Sequence, residues 1–586
     1  MNKIKNFFLK KYAQTVLASL VIFIAVWVVY ANSIGNEFLW DDDAGIINNI
    51  YVHDWKYFLN FFSKSLYGGL GIVCAYWRPA VLSVFAVEWH TFLVWPGGYH
   101  IVNILLHGIN ALLIFYLFRL LFGRFWPAFG AALVFGVHPL NIEAVTYISG
   151  IADPLSALFI LLGVIAYAKT EKETEYRRKR AFYLSVFLCF ILALLSRESA
   201  VMMPGLLFLA DIFNKRDKIS NWRDIKNPLK KISFFLFVDA VYIVLRLTVM
   251  DFMKGIPVPS LNFPLYERIL TFFHAFGIYI QLMFSPLHLH MEWVLPTAKT
   301  FMNPPVALGG FLIVIFIFLI FKTFRKLPEV SFGLAWFLIA LSPYMNIFMP
   351  AVALLSEHWL YLSLPGFFFA LFVFIDRISF PRFVRFFVLF SIIAWIFWVG
   401  NLTILRNRNW ANPMVLFIDT LREAPKSYRA NLNLGLAYQN DKQYDKALEY
   451  FERAMKIEPK NPFTYYDRAL LYKIMGKEKE AMRDHEYSFS LDANNTRSTA
   501  FLLNYYSSKK EYSKIRVMLE HMLEITVKPV EREKILLRLI SIANTEKNEA
   551  SAKKYNEMLI DVRKEIQNDP IVKIGNFLNK YLGEIE

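Results

Sequence analysis

The chain has 586 residues, of which 56% are hydrophobic, 17% aromatic and only 19% charged, with 56 phenylalanines. A soluble protein of this length carries more charge and less apolar surface, so the composition excludes that class and points to a polytopic membrane protein. The formal charge of +16 does not require a nucleic-acid partner, because much of the Lys and Arg lies in short connections between apolar runs, as the positive-inside rule predicts. Cys74 falls in a loop and Cys189 in an apolar run, which argues against a disulfide framework.

The first apolar run, about 12–31, is too long for the core of a cleaved signal peptide. Lys3, Lys5, Lys10 and Lys11 precede it, so it reads as an uncleaved anchor with a cytoplasmic N-terminus. A long connection follows, 32–99, and opens with FLWDDDAGIINN at 38–49. One acid at the centre of a bilayer costs about 2.5–3.5 kcal/mol, so Asp41, Asp42 and Asp43 together would cost about 8–10 kcal/mol there. They belong in water, in a lined cavity or in a binding site. Further along, YWRPAVLSVFAVEWH at 76–90 has apolar residues at helical spacing with Arg78, Glu88 and His90 among them, the pattern of a helix lying at the membrane interface.

With the first run included, twelve apolar segments read as membrane helices. The other eleven lie near 100–122, 126–145, 152–168, 181–196, 199–213, 232–250, 266–285, 304–323, 331–347, 358–376 and 384–403. Several are short, as tilted, kinked or paired segments are. Basic clusters precede the first segment and follow the fourth, sixth, ninth and eleventh; the sixth is followed by seven basic and two acidic residues over 215–231. From a cytoplasmic N-terminus this parity breaks between segments six and nine. One apolar stretch within 232–303 is therefore expected not to span, or to be re-entrant. Eleven crossings then place the C-terminal region outside the cytoplasm, on the side of Asp41–Asp43.

After about residue 404 the apolar runs give way to amphipathic sequence rich in Lys and Glu. The expected domains are a membrane domain, 1–403, a linker, 404–427, and a repeat domain, 428–586. In 428–459, Leu434, Gly435, Tyr438, Ala447, Phe451, Ala454 and Pro459 take the small and large positions of a tetratricopeptide repeat. A shift of 34 lands on Ala469, Tyr472, Ala481 and Ser488. A degraded third unit is expected at 496–527, and a fourth hairpin or cap at 530–560. Such arrays bind partner segments on a concave face, so a protein partner is expected here; packing against the membrane domain is the plainer alternative.

Polar groups recur at membrane depth, where they are costly. His100, Asn103, His107 and Asn110 share one helical stripe. HPLNIEAVTYISG supplies His138 and Glu143; SRES supplies Arg197 and Glu198; Arg246 lies within the seventh segment; SEHWLYL supplies Glu357, His358 and Tyr361. His288, His290 and Glu292 alternate as metal ligands on an extended segment do, but a loop at a wet interface fits the same pattern and is the default. No phosphate-cradling glycine loop, Ser-His-Asp order or cysteine metal site appears in the sequence.

Taken in order, WDD, WRP, YHIVNILLHGINALLIF, HPLNIEAVTYISG-x-AD, RES, SEHWLYL and the repeats resemble the transmembrane and tetratricopeptide repeat-containing O-mannosyltransferases and their bacterial relatives. The resemblance covers most of the chain. It implies an all-α protein whose polytopic helical domain has the C-type glycosyltransferase fold, followed by an α-solenoid of repeats. It implies a polyprenyl-phosphate-linked sugar as donor, membrane lipid as surroundings, and transfer to an acceptor protein or glycan on the lumenal or periplasmic face of, here, a bacterial inner membrane. Asp41 matches the catalytic carboxylate and Asp42 the second acid of the pair, which positions the acceptor or a metal. Arg78, Arg197 and Arg246 are candidates for the phosphate side, with His138, Glu143 and Glu198 lining the cavity and Glu357 and Tyr361 at the family's acidic and aromatic positions. No cofactor is implied with certainty, and a divalent metal is left open. The chain departs from the pattern at Asp43, usually His, Ile151, usually Arg, His358, usually Arg, and Arg197, more often Lys.

Two rival readings are a non-catalytic membrane-anchored repeat scaffold for envelope assembly and a transporter of lipid-linked intermediates. The second predicts ionisable groups spread through the middle of several helices, whereas here they cluster toward one end.

Overall fold

The computed structural model describes residues 2–72, 74–170, 173–214, 222–248, 263–347, 353–493, 496–526 and 529–568. Those residues contain helices and no strand. The chain divides into two compact units, Met1–Pro425 and Lys426–Glu586.

In the first unit, α1 (Asn2–Tyr30) leads into the long connection, which holds two single-turn helices, α2 (Ile50–His53) and α3 (Asn60–Ser63), and α4 (Pro79–Phe92). The connection has its own core of Ile46, Phe61, Leu66, Val81, Leu82 and Phe85. Helix α4 lies inside that core, with Glu88 buried along with its apolar neighbours. The expected helix is there, with Val87 and the corner after it exposed and Glu88 turned inward. Burial drives the Glu88 carboxyl well above the usual carboxylate range.

Next come α5 (Pro96–Phe122), α6 (Phe125–Val137), α7 (Ile142–Val145), α8 (Ala152–Thr170), α9 (Tyr176–Ser196), α10 (Met203–Asn214) and α11 (Lys226–Thr248). They are followed by α12 (Leu265–Phe284), α13 (Pro304–Thr323), α14 (Pro328–Leu341), α15 (Leu364–Arg377), α16 (Arg382–Asn407) and α17 (Pro413–Glu423). Proline opens several of these helices at a position where its missing N–H costs nothing, and Gly123, at φ +69°, closes α5 in the left-handed region. The run at 126–145 is not one straight helix: α6 and the following turn bend by 54° at His138–Pro139.

Among the described residues six helices are long and apolar enough to cross a membrane, or seven with the bent pair. Helices α14 and α15 have 14 residues each. At 1.5 Å per residue that is about 21 Å, short of a hydrocarbon core of about 30 Å. They pack instead as a tight pair, in which any side chain at Gly333 would meet the Gly366 carbonyl and Ala370, the small-residue contact that lets membrane helices approach. The eleven expected crossings thus exceed what length and apolarity alone mark out. The expected parity break falls in part on 249–262, outside the described residues.

The stretch 404–427, expected as a linker, is helical over most of its length. Helix α16 runs through to Asn407, and the Asn412 side chain caps α17 by accepting the Val415 N–H at 3.0 Å, with Leu416 and Phe417 buried. Its polar look comes from one wet face of an amphipathic helix.

Among its described residues the second unit holds four helix hairpins: α18 (Tyr428–Asn440) with α19 (Tyr444–Ile457), α20 (Pro462–Ile474) with α21 (Glu478–Leu491), α22 (Thr496–Ser508) with α23 (Tyr512–Ile525), and α24 (Pro529–Thr545) with α25 (Glu549–Asn568). The first three begin 34 residues apart, at 428, 462 and 496. Gly435 faces the Phe451 ring so closely that a Cβ there would overlap it, which is why the repeat pairs a small residue with a large one.

Candidate functional site

The WDDD turn is fixed from both sides. Asn36 Nδ2 donates to the Asn407 carbonyl at 3.2 Å, and the Glu37 N–H donates to the Ala411 carbonyl at 2.9 Å. The Asn407 side chain accepts from Thr146 at 2.6 Å and donates to the Val29 carbonyl at 2.8 Å. Trp40 then takes φ +46°, a costly conformation for a bulky side chain and one that persists only where the surroundings enforce it. Its ring stacks on Tyr147. The reversal separates the three aspartates. Asp42 is 0% exposed; one oxygen accepts the Leu39 N–H at 2.8 Å and the other accepts Ser149 N–H and Oγ–H at 2.9 and 2.5 Å. Burial pushes its pKa up to about 7 against those hydrogen bonds. Asp43 is exposed and starts a π-turn, Asp43–Ile47. Asp41 is half-buried, and its N–H donates to the Tyr147 hydroxyl at 3.1 Å.

A cation cluster adjoins this turn. Arg78, ahead of α4, donates through Nε and Nη2 to Glu198 Oε2 at 3.2 and 2.9 Å, and Arg246 from α11 reaches Glu198 Oε1 at 3.1 Å. Arg197 meets Asp153 at 2.5 Å and lies over the Tyr344 ring. Three guanidiniums therefore share two carboxylates. Tyr67 joins the turn to the cluster: burial raises its phenol pKa well above the usual value, the Asp41 charge raises it further, and Arg78 opposes both.

A second cluster follows. His358 Nδ1 approaches Glu143 Oε1 at 2.7 Å, and Ser356 Oγ donates to the same carboxylate at 3.1 Å. Glu357 is fully buried; it accepts the His290 N–H at 2.8 Å and Trp293 Nε1–H at 3.1 Å, and pairs with Arg406 at 2.7 Å. Burial raises its pKa to about 7 while Arg406 pulls it down. A small cavity lined by Asp153, Ser199, Tyr344, His358 and Tyr361 has walls from both clusters.

The structure thus brings Arg78, Arg197, Glu198 and Arg246 into one cluster, which Tyr67 links to Asp41, and Glu143 and Glu357 into the next. Two residues have their polar groups engaged by neighbouring helices, although the Tyr361 side chain also lines the cavity. His138 accepts the Leu140 N–H on Nδ1 at 3.3 Å and donates Nε2–H to the Met283 carbonyl at 3.1 Å, so it pins the break after α6. The Tyr361 hydroxyl bonds His107 Nδ1 at 2.8 Å and accepts from Asn110 at 3.2 Å. The polar stripe of α5 is likewise helix glue: Asn103 donates to the carbonyls of Tyr147 and Ile148. The sequence reading missed Asp153, Tyr67, Tyr344 and Arg406 as members of the site. An acid inside an apolar helix marks Asp153 in the sequence; Arg406 resembles any charge after a last membrane segment.

Among the described residues no group of three or more His, Cys, Asp or Glu side chains is placed to hold a metal. His288 is exposed beside Glu423, and His290 stacks on Trp293, so their alternate spacing does not converge. Asp42, with both oxygens engaged and no exposure, is not turned to a metal shared with Asp41.

Helices long and apolar enough to cross a membrane, a carboxylate next to clustered guanidiniums and a repeat array define an all-α membrane protein with a polar site and tetratricopeptide repeats. The family model for the tetratricopeptide repeat matches residues 428–461. The chain is 23% identical over 494 residues to the mouse protein O-mannosyl-transferase TMTC3, covering 79% of the chain and 53% of that protein. It is 25% identical over 452 residues to the Caenorhabditis elegans protein O-mannosyl-transferase F38B6.6, covering 76% and 63%, and 24% identical over 521 residues to Drosophila melanogaster Tmtc3, covering 76% and 55%. The resemblance implied by the motif order therefore extends over most of the chain, which spans about half the length of the curated relatives TMTC3 and Tmtc3.

Proposed function

We propose that this chain is an integral membrane glycosyltransferase that moves a sugar, mannose by the relatives' names, from a polyprenyl-phosphate donor to a hydroxyl of a protein or glycan. One observation carries the reading: Asp41 is held on a strained, doubly anchored turn, and the buried Tyr67 phenol feels both its charge and that of Arg78, which shares Glu198 with Arg246. Asp41 takes the acceptor hydroxyl proton as that oxygen bonds the anomeric carbon. The bond from that carbon to the phosphate oxygen breaks, and the polyprenyl phosphate leaves with the electron pair. Preorganised cations offset the charge that develops on it. Glu198 and Asp153 hold the three guanidiniums in register, and Asp42 holds the turn. Glu143 and Glu357 shape the adjoining wall.

The repeats recruit the acceptor or a partner protein. Basic loop placement supports an extracytoplasmic site and a periplasmic repeat domain in a bacterial inner membrane. A topology reporter fused after Glu586 tests this, and a cytoplasmic signal overturns it. For the activity, glycopeptides and envelope glycans are compared with and without the protein and with Asp41→Asn. Transfer is expected to vanish in the variant while partner binding persists. Undiminished transfer sinks Asp41 as base; no transfer by the unaltered chain leaves the scaffold reading standing.

A further inference from the structure

The long connection carries an apolar surface that its own core leaves uncovered. Between α2 and α3, Trp55 is 45% exposed, Phe58 41% and Leu59 76%; at the corner between α4 and α5, Leu93 is 58%, Val94 65% and Trp95 53% exposed. The two groups are neighbours. Trp55 packs on Phe58 and stacks on His90 at 5.2 Å, and His90 lies in the last turn of α4, three residues before Leu93. Leu93 takes φ +51°, so the corner holds a bulky apolar side chain outward at a conformational cost. Contiguous exposed apolar side chains of this extent mark an interaction surface.

The position of the surface selects its occupant. The corner runs directly into Pro96, the first residue of a helix long and apolar enough to cross a membrane. The exposed side chains therefore sit at the mouth of a helix of membrane-spanning length, at the level where such a helix enters the bilayer. Trp at this level is the usual interfacial anchor. Lys56, the cation within the prong, is paired with Asp54 at 2.7 Å, so apolar contact rather than charge dominates the fit. We propose that the Trp55–Leu59 prong and the Leu93–Trp95 corner form a membrane-docking surface that rests in the headgroup–acyl boundary of the bilayer. Docking also steadies the WDDD turn. His53, which stacks on Trp89 at 3.8 Å, donates Nε2–H to the Ile46 carbonyl at 2.7 Å inside the Asp43–Ile47 turn.

The test needs no catalytic assay and so is independent of the transfer reading. The full chain carrying Cys74→Ser, Cys189→Ser and either Leu59→Cys or Val94→Cys is labelled with a nitrobenzoxadiazole fluorophore and placed in phosphatidylcholine vesicles. Lipid with a nitroxide near the top of its acyl chain is expected to cut emission roughly twofold or more at both positions, with iodide in the water having little effect. Leu537→Cys, 46% exposed on α24 of the repeat unit, is the control, with iodide quenching and no nitroxide effect expected. Iodide quenching at 59 and 94 overturns the proposal. Protection from both quenchers also overturns it, because a protein then covers the surface. With both native cysteines retained, a benzophenone side chain at 59 is expected to photo-crosslink to phospholipid; a protein adduct as sole product refutes the proposal.

Discussion

Buried charges in the two units find their partners over different distances along the chain. In the first unit Arg78 reaches Glu198 120 residues away, Arg406 reaches Glu357 across 49 and Arg197 reaches Asp153 across 44. In the second, Arg468 forks onto Asp484 only 16 residues on, at 2.6 and 2.9 Å. The most buried of the repeat unit's pairs thus closes inside one hairpin, while the less buried Arg516–Glu546 pair joins one hairpin to the next. The membrane unit assembles its charges from five separate stretches of chain, which is what converging several cations on one carboxylate-bearing turn requires. Local pairing yields a scaffold, and distant convergence yields a site.

The largest expected effect tests that division directly. Asp41→Asn should lower sugar transfer by about 10²–10⁴-fold, the usual contribution of a general base, with a melting transition close to that of the unaltered chain, because the amide keeps the carboxylate's shape and Asp42 keeps its three hydrogen bonds. Transfer in reconstituted vesicles and thermal unfolding, measured together, check both halves. Next come the buried pairs. Glu198→Ala leaves Arg78 and Arg246 without their shared acid, and Asp484→Ala does the same to Arg468. Breaking a buried pair costs about 3–5 kcal/mol, so each should destabilise its own unit. Only Glu198→Ala should also abolish transfer. An active Glu198→Ala protein would erase the proposed distinction between the units.

The same contrast explains what the sequence displays. The repeat hairpins are legible because their information is local: Gly435 and Ala447 give way 34 residues on to Ala469 and Ala481, and the third hairpin starts on that period although its signature residues have faded. The membrane helices are legible as apolar runs, yet their ends and bends are not. Nothing in 126–145 announces a 54° bend except Pro139, and the polar stretch 404–427 hides an amphipathic helix. In the site, single residues stand out and their partners do not. Arg78, Arg197, Glu198 and Arg246 are conspicuous as charges among apolar neighbours, but the sharing of Glu198 by two arginines is set by tertiary packing. His138 and Tyr361 look equally conspicuous and serve helix–helix hydrogen bonds, since a buried polar group must be satisfied whether or not it does chemistry. Asp41 and Asp42 are adjacent, identical in type and opposite in exposure, a difference that the Trp40 reversal makes and that no composition predicts.

That difference gives Asp42 a pH signature. Its folded pKa of about 7 lies above the ordinary 3.8. Between about pH 4 and pH 7 the folded protein keeps a proton that the unfolded chain releases, so this group makes stability fall as pH rises through that window. Asp42→Asn should flatten the slope, because the amide does not titrate, while its NH2 meets a backbone N–H and lowers stability at every pH. Thermal unfolding of the membrane unit from pH 4 to 8, unaltered against Asp42→Asn, measures it. Parallel curves would show that Asp42 is ionised when folded.

The smallest effect belongs to the repeats and sets the scale for the others. On the surface of α19, Arg453 pairs with Glu449 one turn away, with both side chains about half exposed. An exposed pair at this spacing contributes about 0.3–0.5 kcal/mol and is screened by salt. Arg453→Ala should therefore leave the unfolding midpoint of the second unit nearly unchanged, and 0.5 M salt should remove the remainder. Asp484→Ala, 31 residues on, should be several-fold more costly and indifferent to salt, because Arg468 and Asp484 are 12% and 3% exposed. If the two variants prove equal, burial is not what separates a structural ion pair from an ornamental one here, and the weight given to the buried arginines of the membrane unit falls with it.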